Sequence, residues 1–296
     1  MIPLHNRYAY SAITKRPQYT WPDGKRLAFW IGTNVELYAF QAGIGNDPAK
    51  FGEPQNQRNY AWRDYGNRVG FWNLMDLYDE FRLPASHLCN SLLYDFAPEL
   101  FERIRGRGDD VIAHGRTNAE RQKGLWEDDE RRLIKDVTET IARHEGKPPK
   151  GWLGAAASEN AATLDLLKEA GYTYVLDWPC DDQPIWLNTR AGKILSVPYP
   201  AEMNDAAALI FRQQTGHDFA DLIVDQFDEM VERSADRPMV CCLSVHPYIV
   251  GQPYRIRALR RAFKHIVEHK LRERVWFTRG NAIADYCLSL DPKLIP

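Results

Sequence analysis

The fold is decided by a short apolar stretch near the start of the chain, Leu27-Ala28-Phe29-Trp30-Ile31-Gly32, which runs directly into Thr33-Asn34-Val35-Glu36. A stretch this short and this continuously apolar does not have the spacing of an amphipathic helix, so it predicts a buried strand. Polar side chains then follow where the strand ends. The same order of apolar strand, polar residue and helix returns along the rest of the chain.

Working outward from this strand, segments with strand and helix patterns alternate. The helical spacing is clearest where Phe71, Leu74, Met75 and Tyr78 share one face. The predicted strands are 27–32, 85–88, 110–113, 151–154, 172–176, 194–198, 239–245 and 275–278, and the predicted helices are 71–78, 98–105, 127–144, 161–170, 219–233, 256–269 and one at the C-terminus. Such alternation predicts an α/β fold with a parallel sheet and crossover helices, and seven or eight units favour a barrel.

Two irregular segments interrupt this pattern. The first is an N-terminal arm over about residues 1–25, and the second is a long loop at 37–62, which is rich in Gly, Pro, Asn and Gln. No Pro/Gly/Ser linker divides the chain, so we expect a single catalytic domain over residues 1–296.

Composition narrows the functional classes. A net charge of −2 gives no electrostatic reason to expect nucleic acid or an anionic membrane as a partner. No apolar run reaches the roughly 18 residues that a bilayer crossing needs, and the N-terminus lacks a signal-peptide pattern. The five cysteines are an odd number without a Cys-x-x-Cys pair. We therefore expect a cytoplasmic protein.

Polar residues follow several of the predicted strands. In a barrel the active site lies at the carboxyl ends of the strands. The residues at these ends are Asn34, Glu36, His114, Asp177, Trp178, Tyr199 and His246. One polar residue at such a position is often only a cap or loop residue, but useful groups at five strand ends predict a shared site.

Plainer interpretations remain open for individual residues. His114 would also serve as a hydrogen-bonded core histidine, and His246 would also simply end a strand before Pro247. The pair Asp181-Asp182 is typical of a turn. Arg63 would contact substrate or form an ion pair that fixes its own loop.

The ordered set of motifs resembles one superfamily. The motifs are Glu36, His114-Gly115-x-Thr117-Asn118, Leu176-Asp177-Trp178 and Leu243-Ser244-Val245-His246-Pro247. Their order is similar to that of the polysaccharide deacetylase superfamily (carbohydrate esterase family 4). Trp62-Arg63-Asp64-Tyr65-Gly66-Asn67-Arg68-Val69-Gly70 resembles the branch with metal-independent allantoinases and bacterial cyclic imide hydrolases. The resemblance covers about residues 16–285.

This resemblance implies a distorted (β/α) barrel of about seven strands that hydrolyses an amide C–N bond. In the deacetylases an Asp-Asp pair supplies a base and a metal ligand, His-x-x-x-His supplies two more ligands, and a late histidine is the acid. Here Asn34 and Val35 lie where the Asp pair is expected, and Asn118 replaces the second histidine. The family's Arg-Pro-x-Gly appears as residues 151–154, Gly-Trp-Leu-Gly, so its arginine is absent.

These departures bear on metal binding. An asparagine carbonyl is a weak zinc ligand, so the only good donors are Glu36 and His114, and two good ligands rarely hold zinc tightly. No cofactor is therefore favoured, and a single zinc, if bound, would use those two residues. Without a metal, an activated ring with a good leaving nitrogen is an easier substrate than an acetamide.

The sequence thus predicts a cyclic amidohydrolase that opens an imide or ureide ring. Glu36 would activate water, Asn34 and Asn118 would position it or bind the oxyanion, and His114 would share this cluster. His246, oriented by Asp177, would protonate the leaving nitrogen. The substrate would be a small cyclic amide, bound by Trp178, Tyr199, Arg63 and Tyr65, and we expect a homo-oligomer. A metal-dependent N-deacetylase of an amino sugar or chitooligosaccharide, and a non-catalytic binding protein, are the alternatives.

Overall fold

The computed structural model describes residues 5–41, 44–47 and 50–296. Its strands are β1 Leu27–Val35, β2 Ile44–Asp47, β3 Lys50–Pro54, β4 Ser86–Cys89, β5 Asp110–Ala113, β6 Gly151–Trp152, β7 Tyr174–Val175, β8 Ile185–Thr189, β9 Gly192–Ser196, β10 Met239–Val245 and β11 Val275–Thr278. Its helices are α1 Gln57–Tyr65, α2 Phe71–Phe81, α3 Leu93–Phe96, α4 Pro98–Arg107, α5 Glu127–Glu145, α6 Thr163–Glu169, α7 Gly216–Arg233, α8 Pro247–Val250, α9 Pro253–Glu268 and α10 Gly280–Ser289.

The strand predicted from residues 27–32 is the centre of the main sheet. Every residue of β1 is buried. One edge pairs in parallel with β10 from Leu27 to Thr33, and the other edge is shared by β11 and then β4. Both edges of β1 are therefore satisfied by backbone hydrogen bonds, and Glu36 follows directly at its carboxyl end.

The sheet curls into a half-barrel. Its order is β10-β1-β4-β5-β6-β7-β9-β8, with β11 also on β1. All of these pairs are parallel except β8 with β9, which form an antiparallel hairpin. Ser244 of β10 also forms an isolated parallel bridge with Asn204, which lies in the segment after β9. The predicted α/β fold with a distorted barrel is confirmed.

The strands bury both of their faces, which explains their continuous apolar sequences. Along β1, Phe29 and Ile31 face the helices and pack with Leu243. Trp30 points to the inside of the half-barrel, where it packs with Tyr174 and other inward side chains. This inner cluster fills the barrel below the carboxyl ends of the strands, so the open space lies above it.

The prediction of a loop at 37–62 is wrong over much of that segment. β2 and β3 pair in an antiparallel hairpin, and α1 begins at Gln57, where the side chain of Asn56 accepts a hydrogen bond from the backbone of Asn59. Polar composition hid this helix because its apolar periodicity is weak. Residues 42–43 and 48–49 of the predicted loop, and residues 1–4 of the arm, lie outside the described residues.

A π-helical turn, residues 66–70, joins α1 to α2 and packs tightly on α8. A Cβ atom at Gly70 would lie 2.0 Å from the carbonyl oxygen of Pro247. Glycine is therefore required there for the backbones to approach. This contact fixes the segment that follows His246, which ends β10 at the top of the barrel.

Candidate active site

The carboxyl ends of several strands open into one cavity of about 870 Å³. Eight of the predicted site residues line it: Asn34, Glu36, Arg63, His114, Asn118, Asp177, Tyr199 and His246. A neighbouring cavity of about 1110 Å³ lies against the N-terminal arm and shares Tyr199 with the first. Its lining includes neither Glu36 nor either of the two histidines, so the chemistry belongs to the smaller cavity.

Glu36 is the centre of the site. Its Oε2 accepts a 2.6 Å hydrogen bond from the hydroxyl of Tyr38, and its Oε1 faces the Nε2 atoms of His114 at 3.4 Å and His246 at 3.6 Å. Burial alone would raise the pKa of Glu36, but His246, His114 and Tyr38 together outweigh it and lower the pKa to about 2. Glu36 is therefore a carboxylate at any physiological pH.

His114 directly follows β5, the second strand from β1 in the sheet. Its Nδ1 donates to the carbonyl oxygen of Leu153 at 2.9 Å, since a carbonyl can only accept. A neutral ring would therefore present a lone pair on Nε2 to Glu36 Oε1. Nε2 of His114 and Oε1 of Glu36 lie 3.4 Å apart, so a proton that reaches either atom can be held between the two.

His246 is oriented by Asp205, and the prediction that Asp177 does this is wrong. Asp205 Oδ1 lies 2.6 Å from His246 Nδ1, and its Oδ2 accepts from the backbone N–H of His246 at 2.7 Å. Burial alone would lower the pKa of His246, but the negative charges of Asp205 and Glu36 outweigh it and raise the pKa. The imidazolium form is therefore favoured, with Nε2–H directed at the centre of the site.

Sequence reasoning missed Asp205 for a physical reason. It precedes a π-helical turn, residues 206–211, in an irregular segment after β9, so no strand end marks it. Its side chain is completely buried. The sequence offered only a chemical argument: a histidine that acts as an acid needs a carboxylate beside its second ring nitrogen. That argument does not single out Asp205, because every acidic residue of the chain would satisfy it.

The two asparagines lie on different parts of the wall. Asn118 donates from Nδ2 to Glu36 Oε1 and to the hydroxyl of Tyr38, so it braces the carboxylate. Asn34 instead hydrogen-bonds to the hydroxyl of Tyr199 at 2.8 Å and to Ser244 at 3.2 Å. Asn34 therefore fixes Tyr199 as a wall of the cavity.

Tyr38 is the second functional residue that the sequence did not reveal. Its hydroxyl holds Glu36, and the guanidinium of Arg63 stacks on its ring at 3.8 Å from the centroid. Tyr248, which packs edge-on to Tyr38, closes the same corner. Tyr38 belongs to the segment predicted as a loop, where an aromatic residue carries no positional signal.

Two predicted substrate contacts are placed elsewhere. Trp178 does not line the cavity; its ring packs edge-on to Tyr8 of the N-terminal arm, and its Nε1 donates to Glu159 at 3.0 Å. Tyr65 ends α1 and is also absent from the lining. Asp181 is fixed by Arg16 at 2.6 Å, which agrees with a structural role for the loop.

The donor atoms do not form a three-ligand metal site around Glu36. In the described part of the chain, the only His, Cys, Asp or Glu trio with donor atoms within 4.8 Å of one another is Asp228 of α7, His265 of α9 and His269, which directly follows α9. There His269 Nδ1 accepts from the backbone N–H of Leu271, which leaves its proton on Nε2 instead of a ligand lone pair.

Nor do the asparagines supply the missing ligands. Asn118 turns its amide nitrogen to Glu36 because a carboxylate must be faced by a donor. Asn34 is held by Tyr199 and Ser244. Glu36 and His114 remain as two good donors, so the residues present do not fit a tightly held zinc.

Comparison with known proteins gives one curated relative and several similar folds. No family model matches the chain. A putative polysaccharide deacetylase of Schizosaccharomyces pombe is 25% identical over 279 residues, which cover 88% of this chain and 85% of that protein. The crystal structure of PuuE allantoinase superposes with a TM-score of 0.84 at 24% identity, covering 96% of this chain and 99% of the other.

A probable polysaccharide deacetylase from Pseudomonas aeruginosa gives a TM-score of 0.82 at 23% identity, with 93% of this chain and 95% of that one covered. Identities this low show only that these solved structures share the fold. The description of the curated relative agrees with the superfamily that the sequence motifs indicate. The resemblance of the chain to the polysaccharide deacetylase superfamily is confirmed. Among the described residues, none of the helices has the length and apolar character needed to traverse a bilayer.

Proposed function

We propose that this protein hydrolyses a C–N bond of a cyclic imide or ureide and opens the ring without relying on a metal. One observation carries the proposal. A carboxylate, Glu36, is held ionised between the Nε2 atoms of His114 and His246, and Asp205 favours the protonated form of the second histidine. Base and acid are thereby prepared in one cavity.

In the first step a water molecule held by Glu36 attacks a ring carbonyl carbon. The C–O bond forms as the carbonyl π electrons move to the oxygen, and the water proton passes to the pair formed by Glu36 Oε1 and His114 Nε2. A carboxylate with a pKa near 2 is a weak base by itself. His114 Nε2 beside it provides a second acceptor for the proton, and Tyr38 and Asn118 keep the carboxylate oriented.

In the second step the C–N bond breaks. The oxygen electrons re-form the carbonyl, and His246 donates its Nε2 proton to the departing ring nitrogen. Asp205 stabilises the imidazolium before transfer and holds the ring in place afterwards. The products are a carboxylic acid and an amide, or for a ureide a urea, on one open chain. The proton that the Glu36–His114 pair took from water then returns to His246 Nε2, which lies 3.6 Å from Glu36 Oε1, so the enzyme is restored and one water is consumed.

The substrate class follows from what this donor set supplies. General acid–base catalysis contributes about 10²–10⁴-fold, and a positioned oxyanion donor contributes about 10²–10³-fold. The nitrogen of an imide is shared between carbonyls, which makes each carbonyl more electrophilic and the nitrogen a better leaving group. These contributions suffice for such a ring more readily than for an unactivated acetamide.

An N-deacetylase of an amino sugar is the second candidate, and the curated relative favours it. The fission-yeast protein that matches most of this chain is described as a putative polysaccharide deacetylase. In that case Glu36 and His114 would be part of a metal site completed by a ligand that the described residues do not show.

One experiment separates the candidates. Purified protein is analysed for metal and then assayed, with and without chelator, on succinimide, maleimide, hydantoin, allantoin and an N-acetylated chitooligosaccharide. Glu36→Gln is the matched inactive control for every substrate. We expect ring opening that survives chelation and disappears in the variant. Deacetylation that is lost with the metal would overturn the proposal in favour of the second candidate.

A further inference from the structure

The cavity has a buried polar end and a more exposed apolar end. At the buried end Glu36, His114 and His246 are each less than 10% exposed, and all three carry hydrogen-bonding groups. At the other end the lining side chains are apolar and partly or fully exposed. They include Ala156, Ala157, Pro200, Ala206, Ala207 and Phe211. This apolar end offers a nonpolar group a surface directly beside the reacting groups.

Phe211 is the largest of these six side chains. It is the last residue of the π-helical turn 206–211, and it is 60% exposed although burial of a phenyl ring is favourable. The same turn directly follows Asp205, whose carboxylate holds both the backbone and the ring of His246. The segment that orients the proposed acid therefore also positions the largest apolar side chain of the apolar end.

The two alanines after β6 adopt a backbone conformation that is costly for alanine. Ala156 and Ala157 have φ values of 57° and 49°, in the left-handed region that glycine and asparagine adopt more readily. A glycine here would remove a methyl group from the cavity, and an asparagine would add a polar amide. The chain keeps two methyl groups at this place, as contact with a nonpolar group requires.

The polar side chains near the apolar end are mostly engaged with the backbone. Asp177 accepts the backbone N–H of Gly154 with both oxygens, at 3.0 and 3.1 Å. Asn204 Oδ1 accepts the backbone N–H of Ala206 at 2.9 Å. Arg121 also lines the cavity and is exposed, so an anionic group is the competing occupant that the test has to separate.

We propose that the ring opened by this protein carries a bulky apolar substituent, such as an aryl group, which lies against Phe211 and the alanines while the ring reaches Glu36. This inference rests on the ring-opening function proposed above and names the class of ring. The cavity of about 870 Å³ is in the range of about 300–1,000 Å³ that holds drug-sized ligands, and an unsubstituted imide fills only a small part of it. A sugar chain fits this end poorly, because its hydroxyl groups would lose water beside side chains that form no hydrogen bonds.

The test compares matched rings. We measure kcat/KM for succinimide, for phenylsuccinimide and for a succinimide that carries a carboxymethyl group. Phenylsuccinimide should exceed succinimide by about tenfold or more, since contacts in an apolar pocket add to transition-state binding. Succinimide opened as fast as phenylsuccinimide would overturn the proposal. A carboxymethyl ring preferred over the phenyl ring would also overturn it, in favour of an anionic substituent bound by Arg121.

Two variants locate the effect in the apolar end. Phe211→Ala should lower the ratio of kcat/KM for phenylsuccinimide to that for succinimide by about threefold or more. Phe96→Ala, which removes a 48% exposed ring outside the cavity lining, should leave the ratio unchanged. Ala156→Asn should keep the thermal stability of the protein, because asparagine tolerates the left-handed conformation, and should still lower the ratio. An unchanged ratio in both folded cavity variants would overturn the proposal.

A binding measurement separates this inference from the proposed function. If the wild-type protein opens no ring, the proposed function fails, and calorimetry with the uncleaved rings then tests the apolar end alone. Tighter binding of phenylsuccinimide than of succinimide, weakened in Phe211→Ala and not in Phe96→Ala, supports the inference. Equal binding of the two rings, or binding of neither, would overturn it.

Discussion

Two buried carboxyl groups on different walls of the cavity have pKa values shifted in opposite directions. Glu36, at the end of β1, is faced by two histidines, a phenol and an amide, and its pKa falls to about 2. Asp177, at the end of β7, accepts a hydrogen bond from the backbone N–H of Gly154, and burial outweighs that hydrogen bond and the charge of His114 and raises its pKa. Both groups are buried, so burial does not explain the difference. The neighbours therefore decide how strongly each carboxyl binds its proton.

The strongest way to break this comparison is to remove the anion. Glu36→Gln should lower kcat by about 10²–10⁴-fold, because the amide cannot take the water proton and leaves both histidines without their shared acceptor. The measurement is single-turnover hydrolysis with thermal unfolding as the check on folding. A folded and fully active Glu36→Gln protein would remove the base assignment.

The second largest effect is expected for Asp205, which orients the proposed acid His246. Asp205→Asn should lower the pKa of His246 by about 1–3 units, since it removes the negative charge that favours the imidazolium. Because His246 acts when protonated, the falling limb of the kcat/KM profile should move to lower pH, with activity lost first above neutrality. An unshifted limb in a stable variant would assign the acid to another group. The control is Asp181→Asn, which changes a carboxyl that pairs with Arg16 instead of His246.

A smaller effect is expected at the phenol that holds the anion. Tyr38→Phe removes a hydrogen bond to a charged group, a contribution of about 1.5–3 kcal/mol. Glu36 should then bind protons more tightly, so the rising limb of the pH profile should move up in pH while kcat falls about tenfold or more. Tyr10→Phe, which changes an exposed tyrosine, should leave both limbs in place. A loss of kcat without a shift of the rising limb would reduce Tyr38 to a packing role.

The smallest effect is expected on the second wall. Trp178→Phe removes a hydrogen bond that lowers the pKa of Glu159, so Glu159, which lies outside the cavity lining, keeps its proton more firmly without it. We expect kcat/KM to change by less than about twofold to threefold. A much larger rise in KM would restore Trp178 as a substrate contact, as the sequence analysis predicted. Tyr65→Phe is the matched control, because Tyr65 also lies outside the cavity lining.

The regular part of the fold was predictable because its signals are local. Apolar runs bounded by turn residues marked β5, β10 and β11 with the bounds that the structure has. The strand-end rule then brought Glu36, His114, Tyr199 and His246 to one cavity. β8 was missed because the alternation of strand and helix does not anticipate an antiparallel hairpin.

The rest of the site depends on contacts that no spacing encodes. Asp205 reaches His246 across 41 positions of sequence from an irregular segment. Tyr38 works through its hydroxyl, from a segment whose composition is typical of a loop. Asp177 was chosen correctly as a lining residue, but its hydrogen-bond partner is a backbone N–H beside it and not a histidine. Pairing of this kind is fixed by tertiary packing.

The pairing of β1 on both of its edges has a consequence for how often its backbone opens to solvent. A strand whose backbone is hydrogen-bonded on both edges and buried throughout opens only with the whole domain, so its amide protons should be among the last to exchange with solvent. Glu36 directly follows the last residue of that strand. We therefore expect the carboxylate to be carried by one of the slowest-opening elements in the described part of the chain, which maintains its position at the centre of the cavity between rare global openings.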